Sequence, residues 1–416
     1  MNLSRKRVLF FAEGATMAHF VRPFALADAL DPDEYEIFFY TPRRYLPYLE
    51  NKSFTVGELA SAPGEQMLAN MARGAPMFSA DVLRNYVRED REVIRAVRPD
   101  LTIGDLRLSL PVSARLEDAR FAMIMNAYWS PWAKRYAILP EIPLTRFVPP
   151  RMLAPVYRKT ERLTYAVHVG PINTVRKENG MPALPPDLRL MYTDADFVLY
   201  PDIPEFIPTP GLPGNHRYVG ICEWAAKVQK PDWWDRMMAD PRPRVFVTLG
   251  SSGPVKVLPA LLRALAGLPV SVLLSTSGRD LPPGASATWV APLLPFTETA
   301  SVSSVVVSHG GSGGLYPAMA AGTPVLGIPS NADQHLSTAF LQDNGAGLGV
   351  RVEEASESRL RRALEELLFE PRYRARAREW AAVYARHDSG TLFREFLRDA
   401  FTGRAASATA GTGREP

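Results

Sequence analysis

Only one cysteine, Cys222, occurs in 416 residues, which excludes an internal disulfide framework and a cysteine-cluster metal site and fits a reducing compartment. The chain has no apolar run of the roughly 20 residues that a membrane-spanning helix needs. The basic start MNLSRKR leads into apolar residues that stop at Glu13, so it reads as a first strand and not a secretory signal. Charge of one sign is also scarce: 48 basic against 44 acidic residues give a formal +4, too little to suggest nucleic acid. The acidic segments show no metal-ligand cluster, and no Gly-Lys-Ser/Thr follows the glycine-rich turn near residue 310, which disfavours a Walker-type phosphate loop.

What is present is an ordinary globular composition, 46% hydrophobic and 22% charged, long enough for two domains with separate cores. Short apolar runs alternate with helical periodicity. In the first half the strands are Arg7–Glu13, Tyr35–Pro42, Leu101–Asp105 and Phe121–Ala127, with helices over His19–Leu30 and Ser79–Val97. Prolines crowd Pro182–Pro243, where the connection between domains is expected. The alternation resumes with strands Arg244–Gly250, Val270–Thr276, Ser304–His309, Thr323–Pro329 and Gly347–Val352, and a helix over Ser356–Glu370. This pattern predicts an α/β fold of two Rossmann-like doubly wound domains facing a cleft at the C-terminal edges of their strands. The expected boundaries are 1–215 for the first domain, 216–240 for a linker and 241–375 for the second domain. A terminal helix over 376–402 is expected to return to the first domain, and 403–416 forms a disordered tail.

The stretch HGGSGGLYPAMAAGTPVLGIPSNADQ, His309–Gln334, concentrates the chemistry. A strand delivers the chain to GGSGG, and a short helix follows. Helix N-terminal amides carry about half a positive charge and suit an anion, and glycines let a phosphate approach that backbone. Pro317 is expected in the first helical turn, which would start the helix near Gly314 and leave the glycines as loop. A tight turn packing helix on sheet is the competing reading, and a dinucleotide site is disfavoured because no acidic residue ends the next strand.

His309-x-Gly311, Ala321-Gly322-Thr323-Pro324, Pro329 and Asp333-Gln334 resemble the donor-binding signature of the UDP-glycosyltransferase superfamily, which has the GT-B fold. The segments AEGATMAHFVRPFALADALDPDEYE, RPDLTIGDLRLSLPVSARL, NAYWSPWAKR and VFVTLGSSG extend the resemblance over most of the chain. They are similar to the bacterial branch that includes mycobacterial rhamnosyltransferases acting on phenolic lipids.

The resemblance implies an inverting transfer of a sugar, rhamnose or another deoxyhexose, from a dTDP- or UDP-sugar to a hydroxyl of a hydrophobic, phenolic or lipid-linked acceptor. His19 matches the general base and Asp105 its partner carboxylate. The competing reading gives His19 a local hydrogen bond at a helix start and Asp105 a helix-capping role. On the donor side His309, Gly311, Ser312, Gly313 and Gly314 would hold the diphosphate. Gly250, Ser251 and Ser252 would face the phosphates or sugar, and Asp333 and Gln334 would bind sugar hydroxyls, unless they only cap the next helix. No cofactor and no metal are implied. Many relatives carry a ribose-binding glutamate at the position of Pro317, and the proline here fits a deoxyribose donor or a ribose held elsewhere. The base-stacking aromatic of relatives falls at Leu293–Leu294, with Leu294 taken as the donor contact. Tyr128, Trp129 and Trp132, with Met123 and Met125 nearby, are read as an acceptor pocket or, equally, as core.

Two other classes share this architecture: a nucleotide-sugar 2-epimerase and a non-catalytic nucleotide-sugar-binding partner. Lys134–Arg162 holds seven basic residues, Lys134, Arg135, Arg146, Arg151, Arg158, Lys159 and Arg162, against Glu141 and Glu161. A solvated excursion is the favoured reading, and peripheral contact with anionic lipid the alternative. The expected location is cytoplasmic, with the inner face of the cell membrane as that alternative. The sequence does not fix an oligomeric state.

Overall fold

A computed structural model describes residues 5–136, 138–139, 141, 143–223, 228–250, 253–281 and 287–402. The chain divides into two compact units. One is Met1–Arg135, Arg158–Trp224 and His387–Pro416; the other is Tyr136–Tyr157 and Ala225–Arg386.

The first unit holds a seven-stranded sheet of β1 (Lys6–Ala12), β2 (Tyr35–Thr41), β3 (Thr55–Glu58), β4 (Leu101–Asp105), β5 (Phe121–Ile124), β6 (Phe197–Tyr200) and β7 (His216–Tyr218). They run in the order β3-β2-β1-β4-β5-β6-β7, and every pairing is parallel. Strands buried on both faces read as continuous apolar runs, and β1 shows why. Val8, Phe10 and Ala12 pack with Phe20, Phe24 and Phe393 on one face, while Leu9 and Phe11 pack with Ile94, Val97 and Leu110 on the other. The helix Ala80–Val97 is capped by Ser79, whose hydroxyl accepts the Val82 amide at 3.3 Å. The strand order reverses between β1 and β4, where open α/β sheets leave a crevice.

The second unit holds β8 (Arg244–Thr248), β9 (Ser271–Ser275), β10 (Trp289–Ala291), β11 (Val305–Ser308), β12 (Val325–Gly327) and β13 (Gly347–Gly349). Their order is β10-β9-β8-β11-β12-β13, again all parallel. Here the reversal lies between β8 and β11.

The units differ from the expected boundaries in three places. β7 pairs with β6, so the first unit continues beyond residue 215 into the segment expected as linker. Residues 136–157 belong to the second unit: the Tyr136 hydroxyl donates to Asp343 at 2.6 Å, and the Glu141 amide donates to the Ser330 carbonyl at 3.0 Å. The single terminal helix expected over 376–402 is two. Pro371–Tyr384 stays with the second unit, where the Trp380 indole donates to the Asn344 carbonyl at 3.1 Å. Ser389–Thr402 packs Phe393 and Phe396 into the first unit's core. The expected tail, 403–416, lies outside the described residues.

One buried cation fixes the loops leaving β1 and β4. Arg107, fully buried, donates to Asp90 at 2.9 Å, Glu13 at 3.0 Å and Glu89 at 2.7 Å, with its guanidinium 3.7 Å from the Tyr86 ring centroid. Ser109 and Ser113 add hydroxyl donors to Asp90 at 2.6 and 3.0 Å. Burial, with Glu13 beside it, pushes the Tyr86 phenol up to about 12. Removing one partner of a buried ion network strands the others. Arg107→Met is therefore expected to lower unfolding free energy by about 3–5 kcal/mol in urea titrations; a loss below about 1 kcal/mol, the scale of an ordinary substitution, would show that the cluster is not structural.

Candidate active site

β1 and the helix Ala18–Asp28 bring His19 to the reversal point of the first sheet, and Asp105 ends the neighbouring strand there. His19 Nδ1 lies 2.7 Å from Asp105 Oδ1; the carboxylate is fully buried, and the imidazole side chain is 17% exposed. With Nδ1 turned to Asp105, Nε2 is the nitrogen left to meet a hydroxyl. Asp105 belongs to a strand and caps no helix, and the reading of His19 as a purely local helix-start histidine does not describe this contact.

A third residue joins them. Arg22, one turn along the same helix face, donates through Nε to Asp105 Oδ2 at 2.7 Å and through Nη2 to Asp105 Oδ1 at 2.6 Å. Its Nη1 donates to Asn126 Oδ1 at 2.6 Å, and Nη2 also sits 2.7 Å from His19 Nδ1. Asn126 donates in turn to Asp202 at 3.1 Å, and the Ala127 amide donates to the same carboxylate at 2.6 Å. Sequence reasoning missed Arg22; the available signal was its place three residues after His19 on a helix.

In the second unit, Gly250 follows β8 and His309 follows β11, again at a reversal point. Gly250 has φ +59, and a Cβ there would meet His309 Cε1 at 3.3 Å; one on Gly311 would meet His309 Nε2 at 2.8 Å. The imidazole therefore lies between two bare stretches of backbone. Its Nδ1 is buried without a partner among the described residues. Burial pushes its pKa down to about 4, so the ring is neutral at pH 7 and can act as a hydrogen-bond partner without carrying charge.

The helix after the glycines runs Ser312–Ala320, beginning at Ser312 and not near Gly314. Gly313 and Gly314 are thus in its first turn, and Pro317 is interior. An interior proline removes the donor that would meet the carbonyl four residues back, that of Gly313. Gly311 occupies the cap position and supplies no side chain, and its carbonyl accepts the Gly314 and Leu315 amides at 3.0 Å.

Other expected contacts fall differently. Leu294 is 6% exposed and buried among apolar residues, whereas Leu293 is 56% exposed. Ser251 and Ser252 lie outside the described residues. Asn331 caps the helix Ala332–Asp343 by accepting the Gln334 amide at 3.0 Å, so neither Asp333 nor Gln334 is the cap. The Gln334 side-chain carbonyl accepts from Ser330 N and Oγ at 3.0 and 3.1 Å, which directs only its amide nitrogen to other contacts. Tyr128 and Trp129 are buried, Trp129 edge-on to Tyr192 at 5.2 Å, and Met123 and Met125 are core; Trp132 alone is partly exposed. Arg279, also missed, lines a shallow recess with Gly250, and its charge acts on His309.

A family model described as erythromycin biosynthesis protein CIII-like, C-terminal domain, matches residues 278–390. A PGL/p-HBAD biosynthesis glycosyltransferase of Mycobacterium tuberculosis is 41% identical over 381 residues, spanning 91% of this chain and 89% of the relative. The chain belongs to the PGL/p-HBAD biosynthesis glycosyltransferases. A PGL/p-HBAD biosynthesis rhamnosyltransferase of Mycobacterium bovis is 40% identical over 387 residues, 93% of this chain and 86% of that one. The solved structure of spinosyn rhamnosyltransferase superposes with TM-score 0.66 at 16% identity, covering 94% of this chain and 100% of the other, which shows the GT-B fold. The protein is thus a glycosyltransferase.

The neutral histidines of this glycosyltransferase set its acid stability. Burial lowers His309 and His216 to about 4 and His335 to about 3, against an unfolded value near 6.5. Between those values the unfolded chain binds more protons, so stability falls as pH drops through that window. Thermal unfolding at pH 5 is expected well below that at pH 7. A melting temperature unchanged between pH 6.5 and 5 would show that these rings are not held neutral.

Proposed function

We propose that the glycosyltransferase inverts the anomeric carbon of a dTDP-deoxyhexose, rhamnose first, while transferring it to a phenolic or lipid-linked hydroxyl. The contact between His19 Nδ1 and Asp105 at 2.7 Å carries this reading. Nε2 takes the proton as the acceptor oxygen bonds to the sugar's anomeric carbon; the bond from that carbon to phosphate breaks, and dTDP departs with the electron pair. Asp105 stabilises the imidazolium that forms. First-turn amides of the helix Ser312–Ala320, with His309, are read as holding the leaving diphosphate, a role that calls for no metal, and activity is expected to survive chelation. Arg279 is placed to add a cation there. Asp333 and the Gln334 amide nitrogen are assigned to sugar hydroxyls, Leu293 to the base and Trp132 to the acceptor.

Support for rhamnose comes from the named rhamnosyltransferase relative. Support for a deoxyribose nucleotide comes from Pro317, which cannot bind a 2′-hydroxyl, and from spinosyn rhamnosyltransferase having been solved with thymidine diphosphate. His19→Ala should reduce transfer from dTDP-rhamnose to a para-substituted phenol by at least about a hundredfold, while calorimetry shows dTDP binding unchanged and tighter than UDP. Turnover within tenfold of wild type rules out the base, and preference for UDP rules out the donor.

No described helix is long and apolar enough to cross a membrane. Peripheral contact is a separate part of the proposal, supported by the helix segment from Arg158. Leu163 and Val167 there are 69% and 51% exposed, Arg158, Lys159 and Arg162 are exposed beside them, and the only acid among those neighbours, Glu161, is buried against Arg135. Exposed apolar groups flanked by cations fit anionic lipid. The protein is expected to cosediment with phosphatidylglycerol-containing vesicles and not with phosphatidylcholine alone, and to lose this in Leu163→Glu/Val167→Glu. Equal retention by the double variant, or no cosedimentation, refutes membrane contact through this face.

A further inference from the structure

Asp105 is shared by a guanidinium and an imidazole. His19 Nδ1, Arg22 Nη2 and Asp105 Oδ1 form a triangle with sides of 2.7, 2.6 and 2.7 Å. A second bond from Arg22 Nε at 2.7 Å makes the arginine–carboxylate pair a side-on fork, the strongest geometry for such a pair. A buried carboxylate beside a lone imidazole would hold a proton on that imidazole and leave it a poor base at neutral pH. Here the guanidinium, always charged, shares the carboxylate with the imidazole and lies against the same ring nitrogen.

We propose that Arg22 is a positioning residue that keeps His19 unprotonated, and so ready to accept the acceptor's proton, by sharing Asp105 with it. This rests on the reading of His19 as base. Arg22 is itself fixed from behind by Asn126, which Asp202 holds. The charged and titratable groups around the ring are Arg22 from its own helix, Asp105 from β4 and, behind Asn126, Asp202 after β6. The Cys222 thiol feels the charges of Arg22, Asp105 and Asp202; burial, with the two carboxylates, pushes it up, and it stays neutral. Arg22 is thus the only fixed positive charge in contact with the imidazole among the described residues.

Histidine proton NMR on the full chain tests this without substrate, so a failure of the transfer reading leaves the result interpretable; His19→Gln assigns the resonance. In Arg22→Gln the His19 titration midpoint should rise by about one pH unit or more, a tenfold change in proton affinity. Arg22→Lys keeps the charge and should leave the midpoint within about half a unit. The acid limb of kcat/KM for dTDP-rhamnose and a para-substituted phenol should move in step, rising in Arg22→Gln and holding in Arg22→Lys. An arginine that only supports the fold would lower activity evenly across pH with no movement of midpoint or limb, and that result overturns the proposal. If Arg22→Gln does not fold, Arg22→Lys decides: an upward shift of about a unit despite the retained charge would equally overturn it.

Discussion

A carboxylate with no solvent contact is the constraint around which the first unit's site is arranged. Asp105 is fully buried at the end of a central strand, and a bare charge there would cost several kcal/mol. The chain answers with Arg22 and His19 from one helix, three residues apart, so that a single helical turn presents both to the same carboxylate. Everything nearby serves that placement. Phe20 and Phe24, between and beyond them on the helix, anchor it to β1, and Arg107 ties the loops that leave β1 and β4.

The second unit repeats the plan with different chemistry. Each sheet reverses its strand order between its most central strands, and each reversal carries the candidate site residues. The helix after β1 contains Pro23 and the helix after β11 contains Pro317, both at the sixth helical position. Each proline leaves the carbonyl of the helix's second residue, His19 or Gly313, without the usual donor. In the first unit, side chains with opposite charges fill the reversal point. In the second, glycine backbone and a neutral imidazole fill it, which suits a ligand that brings its own negative charge.

The strands were legible because a parallel sheet covered on both faces demands unbroken apolar runs, and Val8–Phe11 is such a run. Ser79 and Ser356 marked helix starts by capping chemistry that is local in sequence. His19 and Asp105 could be paired in advance only through family resemblance, since 86 residues separate them. Arg22 escaped because a helical arginine is ordinarily solvated, and its burial follows from a strand far along the chain. Trp129 and Leu294 show the converse limit: an aromatic or leucine at a strand end looks alike whether it faces a ligand or the core. Residues 136–157 were assigned to the wrong unit because their hydrogen bonds to Asp343 and Ser330 leave no periodic trace.

The most direct measurement is a crystal structure of the protein with dTDP and an unreactive phenol. The account predicts the phenolic oxygen about 2.6–3.2 Å from His19 Nε2, with Nδ1 still on Asp105 and the diphosphate on the Gly311–Gly314 backbone. A phenol seated away from His19, or a diphosphate held elsewhere than at that helix start, would contradict it.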